Sequence, residues 1–108
     1  MAYKQILPLP NLNFQMNRVL THGEEACREE ELLEIAPKLQ DFDPMTWFEQ
    51  WNMLAQRAES DGRLMHAAHY HRMSEFFLPA GKSEKDQAYN DFSRCFYAAT
   101  QEIGRAHV

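Results

Sequence analysis

Three closely spaced histidines are the residues of this chain that come nearest to a metal-binding pattern. His66 and His69 stand three residues apart, so both imidazoles could lie on one face of a helix, and Glu75 follows His71 by four residues. A zinc site also requires a third converging ligand and neighbouring groups that orient the imidazoles. Neither a His-Glu-x-x-His motif nor paired Glu-x-x-His repeats supply them. We therefore expect exposed or hydrogen-bonded histidines, no metal site and no cofactor.

Covalent catalysis also lacks a nucleophile in a suitable motif. The two cysteines, Cys27 and Cys95, lie far apart and form no Cys-x-x-Cys pair, so we expect two reduced, partly buried thiols rather than a disulfide or a zinc site. There is no Gly-x-Ser-x-Gly elbow, and the four glycines are isolated, so no phosphate-binding loop is available. We assign no catalytic or cofactor-binding residue.

The composition limits the classes of function that remain. Eleven Lys and Arg against sixteen Asp and Glu give the 108-residue chain a net charge of −5, which disfavours nucleic acid and anionic membranes as partners. The sequence has no apolar run of about eighteen residues and no N-terminal secretory signal, so we expect a cytoplasmic protein with no membrane span. Hydrophobic residues make up 44% of the chain, and the scarcity of glycine and β-branched residues favours an all-α fold.

Prolines, glycines and apolar spacing divide the chain into a leader and about five helices. Pro8 and Pro10 predict that residues 1–10 are extended, while residues 11–102 form the helical segment. The predicted helices run, in chain order, from Asn11 or Asn13 to Gly23, from Glu24 to Leu39, from Pro44 to Asp61, from Arg63 to Leu78, and onward from Ser83. Short connections predict that the last three helices pack as antiparallel hairpins.

Two of the helix starts carry specific capping signals. Asp43 is a good N-cap followed by Pro44 at the first helical position, and Ser83 with Asp86 resembles a capping box. The first, third and fifth helices each show one apolar stripe, made up respectively of Phe14, Met16, Val19 and Leu20; of Trp47, Trp51, Leu54, Ala55 and Ala58; and of Ala88, Tyr89, Phe92, Cys95, Phe96 and Ala99.

The fourth helix is apolar over more than half of its circumference. One face carries mainly small residues, which allow close helix packing: Leu64, Ala67, Ala68, His71, Ser74 and Leu78. The other sides add larger apolar groups: Met65, Tyr70, Met73, Phe76 and Phe77. A helix of this kind must be covered on two sides, and a five-helix unit has little material with which to cover it. We infer that a partner surface is missing.

Part of the chain also follows the spacing of a tetratricopeptide helical hairpin. The positions that fit are Trp51, Leu54, Ala55, Ala58, Ala67, His71, Ser74 and Pro79. Ala55, Ala58 and His71 replace the usual Gly, Tyr and Phe, and a second copy would require a Trp-like residue where Lys85 stands. A single copy does not make a solenoid, but it allows a free-standing helical-hairpin module that binds a peptide or a partner helix.

The order of the aromatic and small residues from Phe14 to Ala99 carries a family resemblance. The matching residues are Asp43-Pro44, Trp47, Trp51, Ala55, Ala58, Gly62-Arg63, Ala67-Ala68, Tyr70, Arg72, Met73, Glu75-Phe76-Phe77-Leu78, Tyr89, Phe92, Phe96 and Ala98-Ala99. This pattern resembles the helical N-terminal segment of α/β-hydrolases related to 2,6-dihydropseudooxynicotine hydrolase, a group of serine esterases and C–C hydrolases.

The resemblance implies a lid, or cap, over the active site of a serine hydrolase that cleaves an ester, amide or C–C bond. The catalytic triad would lie in the protein's own downstream catalytic domain, so the segment alone should be inactive. Some lids of this kind also contribute to a homodimer. The candidates for the lid interface, divided between the lid's own core and its docking face, are Trp47, Trp51, Tyr70, Phe76 and Phe77. Residues 103–108 resemble the translated read-through of a sequencing adapter, so we expect a fragment with a non-native tail.

Overall fold

A computed structural model describes residues 3–106 of the chain, and it is all-helical. Within that range there is no β-strand. The elements are α1 (Pro10–Thr21), a 3-10 turn (Gly23–Glu25), α2 (Glu29–Ile35), a second 3-10 turn (Ala36–Lys38), α3 (Pro44–Ser60), α4 (Leu64–Glu75) and α5 (Ser83–Ala106). The predicted all-α class with about five helices is confirmed. Residues 1, 2, 107 and 108 lie outside the described range, and with them the ends of the predicted leader and tail.

The leader has no regular secondary structure from residue 3 to residue 7, bends at Pro8 and Leu9, and is held against α1 by side-chain amides. The side-chain oxygen Oδ1 of Asn13 accepts hydrogen bonds from the backbone N–H groups of Ile6 and Leu7, at 2.8 and 3.0 Å. Asn17 accepts the N–H of Lys4 at 2.8 Å. Leu7 is buried in the core. The leader is therefore a packed part of the fold, and Pro10 begins α1 rather than ending the leader.

The prediction that Phe14 belongs to the apolar stripe of the first helix is wrong, because Phe14 is 53% exposed. The buried apolar face of α1 consists of Leu12, Met16, Val19 and Leu20. These residues recur at helical spacing, whereas Phe14 lies two positions after Leu12 and therefore points to the opposite side of the helix.

The second predicted helix, from Glu24 to Leu39, is broken into shorter pieces. A continuous helix would join the Arg28 N–H to the Glu24 carbonyl oxygen. Instead the Arg28 N–H donates to the Tyr70 hydroxyl at 2.9 Å, and the Glu24 carbonyl accepts from Nε2 of His66 at 2.6 Å. Arg28 is consequently extended, and α2 starts only at Glu29. Pro37 then ends the α-helical geometry in the second 3-10 turn.

The third helix begins at the predicted cap. The Asp43 carboxylate accepts the N–H of Met45 at 3.0 Å, and Pro44 occupies the first helical position. The helix ends at Ser60, one residue before Asp61, and Gly62 adopts a φ of +76°, a backbone conformation that costs glycine little. All members of its predicted stripe are buried: Trp47, Trp51, Leu54, Ala55 and Ala58.

The fourth helix is shorter than predicted and ends at Glu75 instead of Leu78. Pro79 has no N–H to donate to the Glu75 carbonyl and disfavours helical geometry at Leu78. That carbonyl accepts instead from the Leu78 N–H at 3.1 Å and from Nζ of Lys85 at 2.9 Å. Phe76, the residue after the last turn of α4, is 42% exposed.

The fifth helix begins at Ser83 but not with the predicted capping box. Its first amides, those of Lys85 and Asp86, donate to the Lys82 carbonyl, whereas the Ser83 hydroxyl donates to the Glu84 carboxylate. Ser83 is thus the first helical residue and not the cap. The helix continues through Gly104 to Ala106.

The last three helices pack side by side, with α4 between α3 and α5. Trp47, near the start of α3, donates to the Met73 carbonyl near the end of α4, while the Trp51 ring packs at a tilt against that of Tyr70. These pairings show that α3 and α4 are antiparallel, as predicted. The described chain is flat, with extents of 45 × 36 × 20 Å.

Candidate docking surface and buried polar clusters

Helix α5 packs on α4 with small residues, and the aromatic rings beside them stay partly exposed. The buried residues of α5 are Ala88, Cys95 and Ala99. Beside them Tyr89, Phe92 and Phe96 follow one another along the helix, and each ring centroid lies 5.8 Å from the next. Tyr89 is 49% exposed and Phe96 is 44% exposed, while Phe92 is partly buried. We call these three rings the α5 aromatic strip.

Arg72 of α4 forms one border of the strip. Its guanidinium carbon lies 5.4 Å from the centre of the Tyr89 ring and 5.3 Å from that of Phe92, within the range of cation–π attraction. The same guanidinium is ion-paired with Glu75, whose carboxylate is buried and also binds Lys85. These residues line a groove of about 540 Å³ next to Tyr89. The strip thus offers apolar rings beside a charged rim.

Phe76 and Phe77 form a second aromatic cluster at the end of α4. The Phe76 ring is 42% exposed, packs edge-on against Phe77 and lies 5.4 Å from the guanidinium of Arg18. Phe77 is partly buried and contacts Phe42 and Trp47, with both centroid distances at 5.1 Å. Phe76 is therefore a surface residue, whereas Phe77 joins the surface to the core.

The other three interface candidates lie in the core. Trp47, Trp51 and Tyr70 are each no more than 1% exposed. Trp47 donates Nε1–H to the Met73 carbonyl at 2.7 Å, and Tyr70 donates to the Glu31 carboxylate at 2.8 Å. In this fold they support the surface without reaching it, so a docking partner could contact Phe76 but not these three rings.

The sequence pattern predicts one ordinary apolar stripe on α5 and does not indicate that its aromatic rings form an interface. The signal that could have done so is the separation of side-chain sizes around the helix. Alanine and cysteine occupy the side that meets α4, and the aromatic residues occupy the adjacent side. Small residues allow the two helices to approach closely, so the large rings beside them are left at the edge of the contact.

Glu31 is the centre of a buried ionic cluster that joins α2 to α4. Arg63 donates two hydrogen bonds to its carboxylate, both 2.9 Å long, and Tyr70 donates a third. Burial raises the pKa of Glu31, but the hydrogen bonds from Arg63 and Tyr70 outweigh it, so the pKa stays below its ordinary value. Every member of the cluster has a partner, and we assign it a structural role.

Glu59, His71 and Cys95 form a second polar cluster at the meeting point of α3, α4 and α5. One ring nitrogen of His71, the sulfur of Cys95 and a carboxylate oxygen of Glu59 all lie within 4.8 Å of one another. His71 and Cys95 are buried, and Nε2 of His71 lies 2.9 Å from Glu59. Arg94 donates two hydrogen bonds to the same carboxylate, 2.8 and 3.2 Å long. These bonds outweigh burial, which raises the pKa of Glu59, and the pKa is lowered to about 2. No sequence motif joins these residues, because each comes from a different helix.

The histidines that first suggested a metal site have separate partners. Arg63 can only donate, so Nδ1 of His66 accepts its hydrogen bond at 2.9 Å, and Nε2 carries the proton donated to the Glu24 carbonyl. The His69 ring lies 5.4 Å from that of His22. Burial, and then the neighbouring His22 and His66, lower the pKa of His69. His66 and His69 therefore serve two different contacts instead of converging.

Neither cysteine has the environment of a nucleophile. Burial, reinforced by Glu29, raises the pKa of Cys27 to about 11, and burial with Glu59 does the same for Cys95. A thiol of this kind is protonated at neutral pH. Both cysteines are free, as expected, and both are fully buried rather than partly buried. Across the hydrogen bonds of residues 3–106, no serine hydroxyl contacts an imidazole.

Comparison of the chain with protein-family models, with curated proteins and with solved structures gave no match. None of the helices described between residues 3 and 106 is long and apolar enough to cross a bilayer.

Proposed function

We propose that this chain is the lid segment of a serine α/β-hydrolase and that it docks onto the catalytic domain through the α5 aromatic strip. The observation that carries the proposal is the exposure of Tyr89 and Phe96 on a helix whose buried residues are small. Contiguous exposed apolar surface beside polar residues is typical of an interface. Aromatic residues and arginine are also the types most often found at the energetic centre of interfaces, and Arg72 borders the strip.

The assignment to a hydrolase rests on the family resemblance described above. In such a protein the catalytic domain would supply the serine, the acid and the histidine for hydrolysis of an ester, amide or C–C bond. The lid would cover the mouth of the active site, exclude water and shape the substrate pocket. A cytoplasmic location would keep both buried thiols reduced, which agrees with the two free cysteines.

The identity of the partner domain can be tested on the gene. Its reading frame beyond codon 102 should continue into alternating strands and helices that include a Gly-x-Ser-x-Gly elbow. A stop codon, or further helical pairs with a period of about thirty-four residues, would remove the lid assignment.

The isolated chain supplies a second test. Incubated with a chromogenic ester, the purified chain should give no turnover above that of buffer, because the nucleophile belongs to the catalytic domain. Turnover that a serine-directed phosphonate abolishes would contradict this part of the proposal.

A free-standing helical-hairpin module is the second candidate, and the packing of α3 on α4 favours it. The small residues at tetratricopeptide-like positions, Ala55, Ala58, Ala67 and Ser74, are all completely buried. Helix α5 follows α4 as the next helix of a repeat would. In that case the aromatic strip would bind a peptide or a partner helix. The reading frame again separates the two candidates, since the module requires no catalytic domain.

A further inference from the structure

The Glu59, His71 and Cys95 cluster is a set of potential metal ligands of three chemical types. It brings together a carboxylate oxygen, an imidazole nitrogen and a thiol sulfur from three helices, all within 4.8 Å of one another. Twelve residues separate Glu59 from His71, and a further twenty-four separate His71 from Cys95. The cluster is therefore a product of the tertiary fold and not of a local motif.

The His71 ring is enclosed by the protein and has one side-chain partner, the Glu59 carboxylate. Its side chain is completely buried, and Nδ1 has no hydrogen-bond partner. Buried polar atoms are rarely left without partners, because the loss of hydration is not compensated. An apolar residue of similar size would fill the same space between the helices at lower cost. A buried imidazole at this position acts through Nε2, which lies 2.9 Å from the Glu59 carboxylate and is the nitrogen placed to ligate a cation beside it.

We propose that Glu59, His71 and Cys95 bind a zinc-type divalent cation. Thiolate and imidazole ligands favour zinc over magnesium or calcium, which prefer oxygen ligands alone. Zinc bonds of about 2.0–2.3 Å place tetrahedral ligand atoms roughly 3.3–3.8 Å apart, so the present cluster needs only small side-chain movements to close around an ion. The thiolate and the carboxylate supply two negative charges to the ion, and the Arg94 guanidinium on the same carboxylate adds one positive charge.

Arg94 has a supporting role in this site. It holds both oxygens of the Glu59 carboxylate and is itself held by Asp91 at 3.2 Å. Groups that orient the ligands of a metal in this way commonly affect its affinity. Arg94 is a positioning residue and not a ligand, because a guanidinium has no lone pair available.

Binding must release a proton. The Cys95 thiol loses its proton to solvent when the sulfur ligates the ion, and His71 ligates through a bare Nε2 while its ring proton moves to Nδ1. One proton is thus released for each ion bound. The site would also fasten α5 to α3 and α4, and so fix the position of the α5 aromatic strip.

The test uses the whole chain with zinc or cobalt as the probe. Zinc competition against a chromophoric chelator should show one ion per chain, and cobalt should give a thiolate-to-metal charge-transfer band. The near-isosteric Cys95→Ser variant should lose this band and bind zinc at least about tenfold more weakly. The matched control Cys27→Ser removes the other buried thiol and should keep the band. His69→Gln controls for adventitious zinc at the histidines outside the cluster and should change nothing.

Circular dichroism shows whether each variant is folded. If Cys95→Ser fails to fold, the band in Cys27→Ser decides, because Cys95 is then the only thiol in the chain. A band there supports the site. The proposal is overturned if the wild-type chain gives no band, if binding survives Cys95→Ser unchanged, if His69→Gln abolishes binding, or if zinc unfolds the chain.

Discussion

The Tyr70 hydroxyl donates a hydrogen bond to the Glu31 carboxylate at 2.8 Å and accepts one from the Arg28 N–H at 2.9 Å. The buried Tyr70 hydroxyl on α4 thus provides a hydrogen-bond partner both for the Arg28 N–H, just before α2, and for the Glu31 carboxylate within α2. This arrangement explains the break before α2, and it makes Tyr70, together with Arg63, a residue that fixes α2 against the hairpin of α3 and α4.

Removing only this hydroxyl should destabilise the fold. The Tyr70→Phe substitution keeps the ring but leaves a buried carboxylate oxygen and a backbone N–H short of a partner. We expect a loss of about 1–3 kcal/mol in the free energy of unfolding, measured by urea denaturation. Tyr97→Phe is the matched control, since that ring is 67% exposed, and it should change stability by less than about 0.5 kcal/mol. Equal effects of the two substitutions would refute the assigned role.

Stability should fall in acid through the Glu31 cluster. The pKa of Glu31 is lowered in the folded chain relative to the ordinary value of 4.5 that applies when it is unfolded. As the pH falls, Glu31 of the unfolded state is therefore protonated first. The contribution of Glu31 to the free energy of unfolding is complete above the unfolded value of 4.5 and is lost as the pH falls through the folded pKa. Urea denaturation at a series of pH values should show a smaller acid loss in Glu31→Gln than in wild type. The same loss of stability in acid for the variant and for wild type would contradict the role assigned to Glu31.

The two tryptophans of α3 should differ in their response to phenylalanine. Nε1–H of Trp47 donates to the Met73 carbonyl, whereas Nε1–H of Trp51 is buried without a partner. Both substitutions remove a similar volume from the core, but Trp47→Phe also loses a hydrogen bond, while Trp51→Phe removes an unsatisfied donor. Trp47→Phe should therefore be less stable than Trp51→Phe by about 1 kcal/mol. The reverse order in thermal or urea denaturation would show that the donor geometry is not as described.

Polar substitution of the α5 aromatic strip should remove surface hydrophobicity at little cost in stability. Phe96→Gln should cost no more than about 1 kcal/mol in the free energy of unfolding, because the side chain is 44% exposed and only part of it is buried. It should reduce the fluorescence of a bound hydrophobic dye more than Phe14→Gln does, since Phe14 is an isolated exposed ring on α1. Equal dye signals in the two variants would mean that the strip is not a continuous apolar surface.

A larger side chain on the face of α5 that packs against α4 should destabilise the fold. Ala99 is buried where α5 meets α4, and Ala99→Leu forces a larger side chain into that contact. We expect a loss of about 1–3 kcal/mol from overpacking, measured by urea denaturation. Thr100→Leu, one position along the same helix and only partly buried, serves as the control. A neutral Ala99→Leu would indicate that α5 does not rest closely on α4.

Local rules predicted the parts of the fold that depend on neighbours in sequence. Asp43 caps α3 as its position before Pro44 indicates, since the carboxylate needs only the next two residues to act. The break between Glu24 and Arg28 was not predictable in this way. It depends on His66 and Tyr70, whose side chains replace the helical hydrogen bond from forty or more residues away.

The candidate sites show the same division. Three members of the predicted α5 stripe, Ala88, Cys95 and Ala99, are buried, whereas Tyr89 and Phe96 are about half exposed. Which side of the stripe packs on α4 depends on how closely the two helices approach. The cluster of Glu59, His71 and Cys95 had no sequence signal at all, because its members come together only when three helices have docked. Long-range side-chain contacts of this kind are set by the tertiary fold, which overrides the local pattern.

The most direct test of the docking role is oxidative footprinting of the protein encoded by the complete reading frame, compared with the chain of 108 residues alone. If the α5 aromatic strip docks onto a catalytic domain, labelling of Tyr89 and Phe96 should fall several-fold in the complete protein, while Phe14 keeps its reactivity. Labelling of Tyr89 and Phe96 that is the same in both proteins would contradict the proposal.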